Sequence, residues 1–81
     1  MMDVIEATTT RIYELCREHS ITPNGLSYLC GVSQSTIKSV LNGETKSPKV
    51  VTVKKICDGL NITLAKFFDA DIFNSLEQEI K

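Results

Sequence analysis

Residues 22–42, TPNGLSYLCGVSQSTIKSVLN, constrain this chain more than any other stretch. Thr22 is a cap residue, and Pro23 after it has the fixed φ that suits a first helical position. Leu26, Leu29 and Cys30 are expected to line the inner face of the helix that starts there. Gly31 supplies the residue that ends it, and Val32 plugs the turn. Ser33 then caps a second short helix with Ile37, Val40 and Leu41 on its inner face. Its outer face keeps Gln34, Ser35, Lys38 and Ser39, which are small or amide side chains and one cation.

The rest of the chain reads as helices around this pair. Val4, Ile5, Thr8, Ile12, Leu15 and Cys16 recur at helical spacing and predict a first helix from about Asp3 to His19. Asn42-Gly43 closes a helix here and does not make a hairpin turn. Residues 43–49, GETKSPK, form a polar loop closed by Pro48. Val50, Val53, Ile56, Cys57 and Leu60 define a fourth helix ending near Asn61. Thr63 caps a short fifth helix, with Ile62 before it and Phe67 turned inward. No strand signal competes with these assignments. The tail, residues 70–81, carries Ile72, Phe73, Leu76 and Ile80. The spacing 72, 76, 80 is one face of an additional short C-terminal helix. That face either caps the core or meets the same face on a second copy, as a dimerisation element.

Eighty-one residues make a single domain, and 42% hydrophobic residues suffice for its core. A chain this short buries about 60–65% of its unfolded surface, so the core is expected to be compact. No run approaches a membrane span of ~20 apolar residues. The start, MMDVIEATTT, lacks the basic and apolar blocks of a signal peptide, so a cytoplasmic location is expected. Cys16, Cys30 and Cys57 are odd in number and include no C-x-x-C pair, which argues against a disulfide framework or a zinc site. Each falls on an apolar stripe and reads as a small buried hydrophobe, with a redox switch as the competing reading. His19 stands alone near the end of the first helix, where it offsets the negative end of the dipole. The chain offers no nucleophile beside a base, no paired carboxylates at an evident cleft, no phosphate-cradling Gly loop and no metal cluster. An enzyme is therefore not expected, nor is any cofactor or metal.

Charge is distributed unevenly. The whole chain carries −1. Residues 33–55 hold Lys38, Lys46, Lys49, Lys54 and Lys55 against Glu44, net +4, whereas residues 1–32 sum to −2 and residues 56–81 to −3. The cationic block begins at the second helix of the pair and runs through the loop after it. A helix pair with a short Gly-containing turn and a small polar outer face is an arrangement that enters the major groove. A basic block beside it lies where phosphates then run.

The run GVSQSTIKSVLNGETKSP resembles the turn, recognition helix and following loop of the phage-repressor/Cro-type helix-turn-helix family, often called XRE-like. The pattern Gly31-x-Ser33-x-x-x-Ile37-x-x-x-Leu41-x-Gly43-x-x-x-x-Pro48, then Lys55-Ile56 and Leu60, is similar to it position by position, and the resemblance extends over about residues 12–68. It implies an all-α, five-helix, lambda-repressor-like bundle, with the helix-turn-helix at residues 22–42. It also implies double-stranded DNA as the partner, with Gln34, Ser35, Lys38 and Ser39 as the base-contacting set. Gln34 has the chemistry to pair with adenine N6 and N7, and Lys38 suits a guanine or a phosphate. Ser35, Thr36 and Ser39 are short enough for a close groove wall, a thymine methyl or a phosphate. Ser33 caps its helix, with a phosphate contact in addition. Thr22 and the amides after it make a helix N-terminus suited to a phosphate or simply cap that helix. Asn42, Lys46 and Lys49 match family positions that clamp the backbone. The chain departs from the family at Pro23 and Gly25, which replace longer polar residues. Ser27 stands in place of a usual Ala, its hydroxyl able to bond back to a helical carbonyl. Glu44 puts an anion beside the basic loop.

The expected function is sequence-specific binding of double-stranded DNA by a homodimer that regulates transcription, with repression as the family's common mode. The competing reading is a protein-interaction module with a protein partner, such as an antitoxin, an anti-repressor or an adapter that keeps the fold. The acidic ends and the apolar tail support that alternative.

Overall fold

The computed structural model describes residues 1–44 and 48–80 of the chain. It contains helices α1 (Val4–Glu18), α2 (Pro23–Cys30), α3 (Gln34–Leu41), α4 (Val50–Leu60) and α5 (Leu64–Phe68), then a 3-10 turn at Asp71–Asn74. No strand occurs among the described residues. Lys46, one of the predicted phosphate contacts, lies outside them.

Local chemistry sets the helix boundaries. Asp3 Oδ1 accepts the Glu6 N–H at 2.8 Å, Thr22 Oγ1 accepts Gly25 N–H at 3.0 Å, and Ser33 Oγ accepts Thr36 N–H at 3.2 Å. Thr63 Oγ1 does the same for Lys66 N–H at 3.0 Å. Gly31, at φ 68, ends α2 in the left-handed region, which a side chain would disfavour. His19 is the C-cap of α1, and its Nδ1 lies 2.9 Å from the Leu15 carbonyl oxygen, at the negative end of the helix dipole.

The core is built from the predicted stripes. Ile12, Leu15 and Cys16 of α1 meet Leu26 and Cys30 of α2, Ile37 and Val40 of α3, Val53, Ile56, Cys57 and Leu60 of α4, and Phe67 of α5. Val50, on the predicted stripe of α4, is 73% exposed and lies outside this core, because it opens the helix at its first residue. Two further expectations need correction. Leu29 does not line the inner face of α2; it is 54% exposed, and Ser27 is buried in its place. On a two-turn helix the buried set 26, 27, 30 spans one narrow face, and position 29 falls well off it. Ser27 tolerates burial because its hydroxyl donates to the Asn24 carbonyl at 2.7 Å.

The tail is the second correction. It forms no further α-helix, only the 3-10 turn, followed by Ser75 at φ −136. Phe73, which is off the 72, 76, 80 stripe, packs against the core instead. Its ring meets those of Phe67 and Phe68 at centroid distances of 6.2 and 5.0 Å. The Glu77 N–H donates to the Met2 carbonyl at 3.0 Å and ties the tail to the start of α1. Ile72 and Leu76 are half-buried, and Ile80 is 90% exposed.

All three cysteines are buried free thiols. Burial pushes the Cys16 thiol above its ordinary 9.0, with nearby Cys30 adding to the effect. Burial likewise raises Cys57, opposed by Lys54 and helped by Asp58. A raised thiol pKa stabilises the fold below 9.0, and that stability is lost as pH rises through the folded value. Thiolate ultraviolet absorbance should therefore appear at higher pH in the native protein than in denaturant. Superimposable titration curves would contradict this.

Candidate nucleic-acid interface

The α2–turn–α3 unit presents one concave surface. An open cleft of about 600 Å³ runs between α1, the start of α2 and one flank of α3. Gln34, Ser35, Lys38 and Asn42 line it, opposite Pro23 and Asn24 at the start of α2 and Tyr13 of α1. Three of the four predicted base-contacting residues and one predicted phosphate contact are thus brought together. They come together along the flank of α3 where Ile37 and Leu41 also line the cleft, while Val40 is turned into the core.

The polar groups around the cleft are partly committed already. Ser33 Oγ accepts the Thr36 N–H, donates to Thr36 Oγ1 at 2.9 Å and lies 3.3 Å from Ser35 Oγ. This hydroxyl group of three stiffens the first turn of α3. At the start of α2 the amides are fewer than the position suggests. Pro23 has no N–H, and Gly25 N–H is taken by Thr22 Oγ1. Asn24 N–H is what remains in the first turn for an anion.

Ser39 and Glu44 sit at the far end of α3. Ser39 Oγ donates to Glu44 Oε2 at 3.4 Å, and Glu44 N–H donates to the Ser39 carbonyl at 2.9 Å. A carboxylate at this end of α3 repels phosphate and is chemically able to accept hydrogen bonds from base amino groups such as cytosine N4. Ser39 does not line the cleft. Lys49 is exposed at the N-cap of α4 and makes no side-chain cap bond, and it too lies outside the cleft. Lys54 is paired with Asp58 one turn on, and that carboxylate raises its ammonium pKa. The +4 block therefore presents less free charge than its lysine count implies.

Two aromatic residues escape a reading based on polar faces. Tyr13 lines the cleft, and Tyr28 on α2 is 80% exposed with its phenol oxygen 3.5 Å from Gln34 Nε2. The signal for Tyr28 was present in its position. It lies opposite Leu26 and Cys30 on the α2 wheel, where an apolar ring has no core to enter.

Comparison with known proteins gives a consistent result. The family model of the Cro/C1-type HTH DNA-binding domain matches residues 11–71. Over 52 residues the chain is 35% identical to an uncharacterized HTH-type transcriptional regulator, RghRB, of Bacillus subtilis (strain 168). That match takes in 64% of this chain and 37% of the relative, so the chain spans well under half the length of that protein. A crystal structure of the prophage Lp1 protein 11 superposes with a TM-score of 0.81 at 30% identity, covering 94% of this chain and 100% of that one. No helix among the described residues is long and apolar enough to cross a membrane.

Proposed function

The chain belongs to the Cro/C1-type helix-turn-helix DNA-binding family, and from that premise we propose that it is a homodimeric, sequence-specific transcriptional repressor acting on a two-fold-related operator. The observation that carries this reading is the cleft, which gathers Gln34, Ser35, Lys38 and Asn42 beside the start of α2. With α3 in the major groove, Gln34, Ser35, Lys38 and Ser39 face base edges. Thr22, Ser33, Thr36, Asn42, Lys46 and Lys49 face the phosphates on either side. Repression follows from occupancy, because a domain lying across a promoter blocks polymerase without further machinery.

Selection of bound duplexes from a random library at low salt, with the full chain, tests this. An enriched two-fold motif supports the proposal. A well-folded protein that enriches nothing would favour the interaction-module alternative. The residue roles separate by substitution. Gln34→Ala and Ser35→Ala should relax base choice, with Gln34→Ala losing about tenfold or more in discrimination at one position. Lys46→Ala and Lys49→Ala should weaken all duplexes alike and each reduce the salt slope by about 1. Equal losses on every sequence from all four changes would sink these assignments.

A second copy is required to read two half-sites, spaced near one helical turn of about 34 Å when both heads lie on one face of the duplex. Ile72, Leu76 and Ile80 are proposed as its contact, with Phe73 anchoring the tail to the core from beneath. Exposure of Ile80 supports this. The double change Ile72→Asp and Ile80→Asp should shift the sedimentation equilibrium to monomer and lower operator affinity. It should leave the helical signal unchanged. An unaltered dimer would move the interface elsewhere, the first place to look being the groove flanked by exposed Val50 and Phe68.

A further inference from the structure

We propose that Tyr28 is a positioning residue for base recognition: its phenol holds the Gln34 carboxamide at the start of α3 and thereby sets how strongly Gln34 discriminates among bases. The proposal rests on the reading of α3 as the helix that enters the groove.

Tyr28 is 80% exposed, on the side of α2 away from the core, so packing gives no reason for a large ring there. Its oxygen accepts from Gln34 Nε2 at 3.5 Å, the outer limit of a hydrogen bond. Both side chains are exposed, so a closer approach needs only torsional adjustment and no backbone shift. Among the described residues, Tyr28 is the hydrogen-bond partner of the Gln34 side chain.

The donor and acceptor inventory of the two groups makes the arrangement compatible with DNA. A carboxamide carries one acceptor oxygen and two N–H donors. Pairing with the adenine edge uses Oε1 and one N–H. The second N–H is left over, and the Tyr28 oxygen accepts it. An exposed glutamine otherwise has several freely turning side-chain bonds, and fixing them on DNA carries an entropic cost that reduces discrimination. A partner on the neighbouring helix meets part of that cost before binding. Because α2 and α3 are locked together through the shared core, the two backbone positions that carry the phenol and the amide are held at a fixed separation.

The test uses the full chain with three variants: Tyr28→Phe, Gln34→Ala and both together. Tyr28→Phe removes one oxygen and leaves the ring, at an exposed site where folding is indifferent. Base preference is read by competition between the selected duplex and single-base variants, and general affinity by random duplex across a salt series. Tyr28→Phe should lose about 3- to 10-fold in preference at the position read by Gln34, with no change at other positions. Random-duplex affinity and its salt slope should stay as in the native chain. Gln34→Ala should remove the preference at that same position, and the double variant should lose nothing further there. Native preference in Tyr28→Phe, alongside lost preference in Gln34→Ala, overturns the role of Tyr28 alone. Native preference in Gln34→Ala overturns the reading of Gln34 and the proposal with it. A uniform affinity loss in Tyr28→Phe on all duplexes overturns the proposal by making Tyr28 a backbone contact.

Discussion

Gly59→Ala should lower the thermal midpoint by roughly 10–20 °C, a net loss of about 2–3 kcal/mol in a domain of this size. Helix propensity alone points the other way, since Ala in a helix interior is favoured over Gly by about 1 kcal/mol. Packing reverses the sign. A Cβ at position 59 would lie 2.8 Å from Cys30 Cα, 2.9 Å from Cys30 Cβ and 2.9 Å from Cys30 N. Two of those atoms are backbone, so no side-chain rotation relieves the overlap. Helix α4 must move away from α2 as a body and open the layer that holds Leu26, Cys30, Ile56 and Leu60. Since α2 carries one wall of the cleft, the shift is also felt at the interface. Gly25→Ala is the control. There a Cβ meets Thr22 Oγ1 at 3.4 Å and Ile21 Cβ at 3.8 Å, which is ordinary contact. It should raise stability by about 0.5–1 kcal/mol. A Gly59→Ala midpoint equal to or above the native one would mean that α2 and α4 are not this close.

The contrast between these two glycines shows where sequence reading reaches its limit. Gly31 was legible because a helix end needs a left-handed residue, and that need is local. Gly59 carries no local sign; its reason is Cys30, 29 positions away in sequence and on another helix. The helix pair was legible for the same local reasons. Thr22-Pro23, Ser33 and Asn42-Gly43 mark their own boundaries, and 3.6-residue periodicity supplied the inward side of α3 and α4. Periodicity failed on α2, where two turns hold too few residues to choose between Ser27 and Leu29. It failed again in the tail, where Phe73 docks from off the stripe. Of the proposed interface, the composition of the outer side of α3 was legible, as was its basic surroundings. The Tyr28–Gln34 and Ser39–Glu44 pairings were not, because each depends on how one element is set against the next.

Arg11 is the other residue whose role is invisible in the sequence, and its removal should be at least as damaging as Gly59→Ala. A cation on the first helix of a DNA-binding domain reads as solvated charge, yet Arg11 is only 5% exposed. Its Nε donates to the Phe67 carbonyl at 2.6 Å, its Nη2 to the Lys66 carbonyl at 2.9 Å and its Nη1 to Glu14 Oε1 at 3.1 Å. Both carbonyls lie in the last turn of α5: the guanidinium satisfies that of Phe67, which the short helix leaves open, adds a second bond to that of Lys66, which already accepts the Asp69 N–H, and sits at the negative end of the α5 dipole. Hydrogen bonds from a charged donor contribute about 1.5 kcal/mol or more each. Arg11→Ala, which also strands the buried Phe67 carbonyl, should therefore cost about 3 kcal/mol and 12–24 °C in thermal midpoint. The Glu14 pair adds little, since that carboxylate is 37% exposed. Glu14→Ala should consequently change the midpoint by only a few degrees, which separates the carbonyl contacts from the ion pair. Arg11→Lys should fall between, because an ammonium is a point charge and cannot span two carbonyls in the fork geometry. The damage should be local in its first stage. α5 and the aromatic cluster of Phe67, Phe68 and Phe73 detach before the α2–α3 pair opens, so amide exchange at residues 64–73 should accelerate ahead of exchange in α3. Equal acceleration in both regions, or a midpoint within a few degrees of native, would show that α5 is held by Phe67 burial alone.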